Sequence, residues 1–87
     1  MDRFIITLYS RPGCHLCEDM KAIIARAAAA MPGALYVDEI DISRDAELER
    51  RYGLKIPVLE IDGKRVAKYR VSEEDLRRML LGRTELA

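Results

Sequence analysis

Residues 4–20 read FIITLYSRPGCHLCEDM, and the fold turns on this stretch. Phe4 to Tyr9 is apolar on both alternating faces, which suits a central strand covered by helices on each side. Pro12-Gly13 stops the strand. From His15 onward Leu16, Met20, Ile23, Ile24, Ala27, Ala28 and Met31 recur at steps of three and four, giving one apolar stripe on a helix of about four turns. Pro32-Gly33 closes that helix. Both cysteines of the chain, Cys14 and Cys17, fall at the junction between strand and helix.

Working outward, Leu35 to Ile42 sets Tyr36, Val37, Ile40 and Ile42 among acidic residues, as expected of a strand nearer the sheet edge. It should run parallel to the first strand, with the intervening helix as the right-handed crossover. Ser43 is expected to cap a short second helix through Tyr52, with Asp45 and Glu47 in its first turn and Gly53 beyond its end. Val58 to Ile61 and Lys64 to Tyr69 flank Asp62-Gly63, a strong signal for an antiparallel hairpin. Ser72 opens a last helix with Glu73, Glu74 and Asp75 at its positive end. Leu76, Met79 and Leu80 form its buried face, and Gly82 is expected to end it.

Eighty-seven residues are expected to form one domain, 1–87, with 49% hydrophobic and 34% charged residues, a balance typical of a globular chain rather than a disordered one. Fifteen Lys and Arg against fifteen Asp and Glu leave no net charge, so composition gives no support to a nucleic-acid partner. No run approaches the roughly 20 apolar residues of a membrane helix, and the N-terminal residues lack a signal-peptide pattern. A cytoplasmic location is therefore the expectation, and in a reducing compartment a close cysteine pair is more often catalytic or metal-binding than structural. Tyr9, Tyr36, Tyr52 and Tyr69 read as packing residues with wet hydroxyls. The Glu47, Glu49, Arg50, Arg51 run reads as a solvated helix face.

Cys14-His15-Leu16-Cys17 admits three readings. At the first turn of a helix the free N–H groups and the dipole favour a thiolate, and residues three apart can bring their sulfurs together, so a reversible redox pair fits the position. Zinc needs about four ligands, whereas Cys14, His15 and Cys17 are the only Cys or His residues and His15 points about a third of a turn away. A zinc site within one chain is disfavoured; one shared between chains stays open. Two inert core cysteines would have little packing reason to stand behind Pro-Gly at such a turn. Cys17 shares a helical line with Met20, Lys21 and Ile24, close to the core stripe, while Cys14 stands at the open end. Cys14 is thus the expected attacker of a disulfide and Cys17 the expected resolver. His15 either tunes Cys14 as an imidazolium or is solvated, and Arg11 either attracts an anionic substrate or solvates its loop.

The element order β-α-β-(α)-β-β-α, with Cys-x-x-Cys at the first strand-to-helix turn and Pro57 opening the third strand, resembles the minimal thioredoxin-like fold of glutaredoxins. That is an α/β fold, a four-stranded mixed sheet with helices on both faces. The sequence is most similar to the small bacterial glutaredoxin-like family that carries Cys-His-Leu-Cys and Tyr-Gly-Leu-x-x-Pro-Val-Leu, here Tyr52 to Leu59. The resemblance implies a dithiol–disulfide oxidoreductase acting, as a monomer, on a disulfide-bearing protein or small molecule, with glutathione or thioredoxin reductase as electron donor and no tightly bound cofactor. It also implies a cis Ile56-Pro57 bond beside the cysteines, with Ile56 offering backbone groups to an extended substrate. From the residues themselves, Arg11 and the helix start at Ser72, whose N–H groups could hold a carboxylate, are further candidate substrate contacts.

Two departures argue against glutathione use. His15 and Leu16 stand where glutaredoxins commonly have Pro-Tyr. Ala67-Lys68-Tyr69-Arg70-Val71-Ser72-Glu73 replaces the Gly-Gly turn and Asp that hold the tripeptide, so weak glutathione coupling is expected. The rival reading is a peptide- or protein-binding module of the same fold that uses the Pro57 edge and leaves its cysteines idle. Retention of both Cys14 and Cys17 favours the enzyme.

Overall fold

In the computed structural model, described for residues 3–86 and for the side chains of residues 3–82, the sheet is built on β1 (Phe4–Ser10). α1 (His15–Ala30) leads to β2 (Leu35–Asp41), a single 3-10 turn at Ile42–Arg44 and α2 (Ala46–Tyr52). β3 (Val58–Ile61) and β4 (Lys64–Lys68) then form the hairpin before α3 (Glu73–Leu86). The strand order is β2-β1-β3-β4. β1 pairs parallel to β2 from Phe4 opposite Leu35 to Ser10 opposite Asp41, and antiparallel to β3 from Ile6 opposite Ile61 to Tyr9 opposite Val58. Asp62 and Gly63 turn the hairpin with φ of 52° and 82°, the left-handed pair that a two-residue loop between twisted strands requires.

Period two along β1 separates its faces. Phe4, Ile6 and Leu8 are buried against Met20, Ile24 and Ala27 of α1 and Leu76 and Leu80 of α3, and Arg26 Nε donates to Glu73 across the two helices at 2.8 Å. On the other face Tyr9 stacks on Tyr52 with ring centroids 4.3 Å apart, above Ile42 and Val58. Burial pushes the Tyr9 phenol above its ordinary pKa, with Glu60 adding to the effect. Helices thus cover β1 on both faces, as the apolar run suggested, though unequally. α2 has only seven residues and covers only the Tyr9 end, leaving Ile5 and its neighbour Tyr36 51% and 56% exposed.

Two helix boundaries and one strand boundary also differ from the sequence expectation. Asp45, not Ser43, caps α2, its carboxylate accepting from the N–H groups of Glu47 and Leu48 at 2.9 and 3.2 Å. Ser43 lies in the preceding 3-10 turn and donates both its N–H and its hydroxyl to Asp41. A carboxylate two residues further on offers a stronger acceptor to the free N–H groups than the serine hydroxyl does. Ser72 caps α3 as expected, accepting from the Asp75 N–H at 3.0 Å, but Gly82 does not end that helix, which continues to Leu86. No proline follows to block the next turn, so the glycine is simply carried within it. β4 stops at Lys68 because Tyr69 leaves the extended region with φ of 68°.

Candidate functional site

The site begins where β1 runs out. The Cys14 N–H returns to the Arg11 carbonyl at 3.3 Å and Gly13 takes φ of 79°, a tight turn with Pro and Gly at its two central positions. A side chain at Gly13 would be strained by that φ, so the turn places Cys14 at the N-cap of α1 through a residue type suited to it. There its Sγ accepts from the Cys17 N–H at 3.1 Å. Cys14 and Cys17 are joined as a disulfide with Cα atoms 5.2 Å apart. Cys14 is partly exposed, whereas Cys17 is 2% exposed under the core stripe of α1.

Ser10, at the end of β1, is buried and donates its hydroxyl to Glu39 at 3.0 Å. Glu39 in turn lies 3.3 Å from the Lys21 ammonium and holds it above its ordinary pKa, tying α1 to β2 behind the cysteines. Arg11 serves a neighbouring contact. Its guanidinium donates to the Glu49 carboxylate and, at 3.4 Å, to the Gly53 carbonyl, anchoring the cysteine loop to the C-terminal end of α2. The His15 side chain is 91% exposed and its Nε2 lies 3.9 Å from Asp19, one turn down the helix.

The Ile56-Pro57 bond is cis and Pro57 is fully buried. It opens β3 opposite the end of β1, because Val58 pairs with Tyr9 and the cysteine turn starts two residues after Tyr9. Ile56 is half-buried, and among the described residues neither its N–H nor its carbonyl has a hydrogen-bond partner. The structure therefore gathers Cys14, Cys17 and Arg11 on one turn and sets Ile56-Pro57 at the adjoining strand end. The Ser72 hydroxyl is occupied as the cap of α3.

Tyr69, read from the sequence as a packing residue with a wet hydroxyl, instead bonds within the site. Its backbone N–H donates to the Pro57 carbonyl at 2.8 Å and its hydroxyl to the Leu54 carbonyl at 2.9 Å, so one residue holds both ends of the Leu54–Pro57 loop. It also forms one wall of a cleft of roughly 150 Å³ bounded by Leu16, Met20 and Ile23 of α1 and by Arg70 and Val71. Nothing in the sequence marks a tyrosine for a left-handed φ; the only signal was the missing glycine pair at this position. Among the described residues no three His, Cys, Asp or Glu side chains gather as a metal site, and no helix is long and apolar enough to cross a membrane.

Comparison with known proteins agrees with this geometry. Residues 5–81 match the family model described as Glutaredoxin-like domain (DUF836). The chain is 36% identical over 77 residues to the Glutaredoxin-like protein YDR286C homolog of Dictyostelium discoideum, covering 82% of this chain and 69% of that protein. A structural-genomics target from X. campestris, XcR50, superposes with a TM-score of 0.73 at 34% identity, covering 88% of this chain and 96% of its own. A chloroplastic thioredoxin z superposes with a TM-score of 0.77 over 99% of this chain and 81% of its own, and at 18% identity it shows the shared fold alone.

Proposed function

The chain belongs to the glutaredoxin-like domain family, and from that premise we propose that it is a dithiol–disulfide oxidoreductase. The observation that carries this reading is the closed Cys14–Cys17 pair at the mouth of α1, with one sulfur accessible and the other buried. In the reduced protein the Cys14 thiolate, favoured by the free N–H groups of the first helical turn, attacks one sulfur of a target disulfide. The other target sulfur departs as a thiolate and takes up a proton. Cys17 then loses its proton and attacks Cys14 Sγ, which releases the second target sulfur as a thiol and leaves Cys14–Cys17 oxidised. Two electrons pass from protein to target, with one proton from Cys17 and one from solvent in place of the proton Cys14 lost on ionising.

The free N–H and carbonyl of Ile56 support a role as the backbone ledge on which an extended target segment lies during attack. Return to the dithiol needs an external two-electron donor. Tyr69 fills the turn where a glutathione-binding glycine pair would let the tripeptide approach the backbone, so we assign that role to a protein reductase of the thioredoxin reductase kind rather than to glutathione. The test is a trapping experiment: a Cys17→Ser protein should accumulate a mixed disulfide between Cys14 and a disulfide-bearing peptide, and a Cys14→Ser protein should not. Absence of any adduct on the Cys17→Ser protein would return the chain to the reading of a binding module with idle cysteines.

A further inference from the structure

Leu54 is 93% exposed, more than any other large hydrophobic side chain among the described residues, although the loop that carries it is fastened by Tyr69. Tyr69 itself is 41% exposed, and Ile56, two residues from Leu54, keeps its backbone groups free. Leu54 and Tyr69, joined by that hydrogen bond, together present a small apolar surface on a fastened loop next to the free backbone groups of Ile56.

The charges around it point to what would cover that surface. Lys55 follows Leu54, and Lys68 and Arg70 flank Tyr69; all three are exposed, and among the described residues none forms an ion pair. The Lys68 ammonium lies 5.5 Å from the Tyr69 ring centroid. Since the chain has no net charge, this excess is balanced elsewhere. Asp38, Glu39 and Asp41 lie on the opposite edge strand, β2. Lys68 on β4, with Lys55 and Arg70 in the adjoining loops, thus puts unpaired positive charge on the side of the sheet that adjoins the Ile56-Pro57 ledge, whereas Glu39 and Asp41 of β2 are met by Lys21 and Arg44.

Building on the oxidoreductase reading, we infer that the preferred target is a disulfide-bearing protein segment with an apolar residue next to its cysteine and Asp or Glu around it. The apolar residue would cover Leu54 and Tyr69, the backbone would pair with Ile56, and the acidic residues would meet Lys55, Lys68 and Arg70. Glutathione has carboxylates but no apolar side chain to set against Leu54.

The experiment uses the reduced full chain and three disulfide-linked peptides of equal length, each with Leu beside its cysteine and with Glu, Lys or Ser at the flanking positions. Single-turnover formation of the Cys14–Cys17 disulfide is followed at low and high salt. The Glu peptide should react about ten-fold faster than the Lys peptide at low ionic strength, and the ratio should shrink in high salt as the charges are screened. A Lys55→Glu, Lys68→Glu, Arg70→Glu protein should reverse the order. If that protein fails to fold, the corresponding glutamine variant should bring the ratio close to one. Equal rates for all three peptides on the unmodified chain would overturn this inference while leaving the oxidoreductase reading intact. Failure to reduce any peptide, the Ser peptide included, would overturn both. Glutathione disulfide reacting faster than the Glu peptide would assign the cations to a small-molecule carboxylate and overturn the inference.

Discussion

At Cys14 a partly exposed sulfur faces the N-terminal N–H groups of α1, while Cys17 is 2% exposed beneath the same helix. In the reduced protein Cys14 should therefore be alkylated faster than Cys17 near neutral pH, read by mass spectrometry of the two labelled sites at a series of times. Faster labelling of Cys17 would exchange the attacker and resolver. Tyr69 presents the second residue-scale question, because a non-glycine residue with φ of 68° costs on the order of 1–2 kcal/mol. Its hydrogen bonds to Pro57 and Leu54 offset that strain. Tyr69→Phe removes the hydroxyl bond alone and should lower stability by about 0.5–1.5 kcal/mol in urea denaturation. Unchanged stability would mean that the clasp on Leu54 contributes nothing net.

At the scale of the element, the caps separate two serine- and aspartate-rich turns that look alike in sequence. Asp45→Ala should cost about 0.5–2 kcal/mol because it frees two N–H groups of α2, whereas Ser43→Ala should cost distinctly less. Ser43 acts on Asp41 instead: its hydroxyl, aided by its N–H and by Arg44 and Arg11, holds the Asp41 carboxyl below the usual value against a smaller opposing effect of desolvation. A depressed folded-state pKa contributes stability that is present above the unfolded value, about 3.9, and is lost as pH falls through the folded value. In Ser43→Ala the Asp41 pKa, followed by NMR titration, should rise toward the usual value, and the acid-side loss should become smaller and be complete at a higher pH. Gly82 gives a result of opposite sign. Inside α3, with open space around the position of a Cβ, Gly82→Ala should stabilise by about 0.5–1 kcal/mol, whereas a glycine terminating the helix at positive φ would have made the same change destabilising.

Across the whole molecule, one face of the sheet carries the main core and the other is covered only near the site. Leu8→Ala, at a position 1% exposed, should cost about 2–5 kcal/mol, while Ile5→Thr, three residues earlier and 51% exposed, should stay within about 0.5 kcal/mol. Comparable losses at both would mean that the second face is covered after all. The sequence by itself determined the strand order along the chain, the two long helices, the hairpin at Asp62-Gly63 and the place of Cys14 and Cys17. Each of these rests on local periodicity, a turn residue or a fixed spacing, which neighbouring residues specify without help from the rest of the chain. Ile5 and Leu8 are equally apolar in sequence, and only the shortness of α2 against the sheet decided that one is exposed and the other buried. Ser43 and Asp45 are both capping residues by type, and the end of β2, fixed by its pairing with β1, decided which of them meets the helix. The clasp of Tyr69 on Leu54 and Pro57, and the gathering of Lys55, Lys68 and Arg70 around it, join residues apart in the chain. Such contacts exist only once strand pairing has brought β4 beside β3, so no local pattern could have announced them.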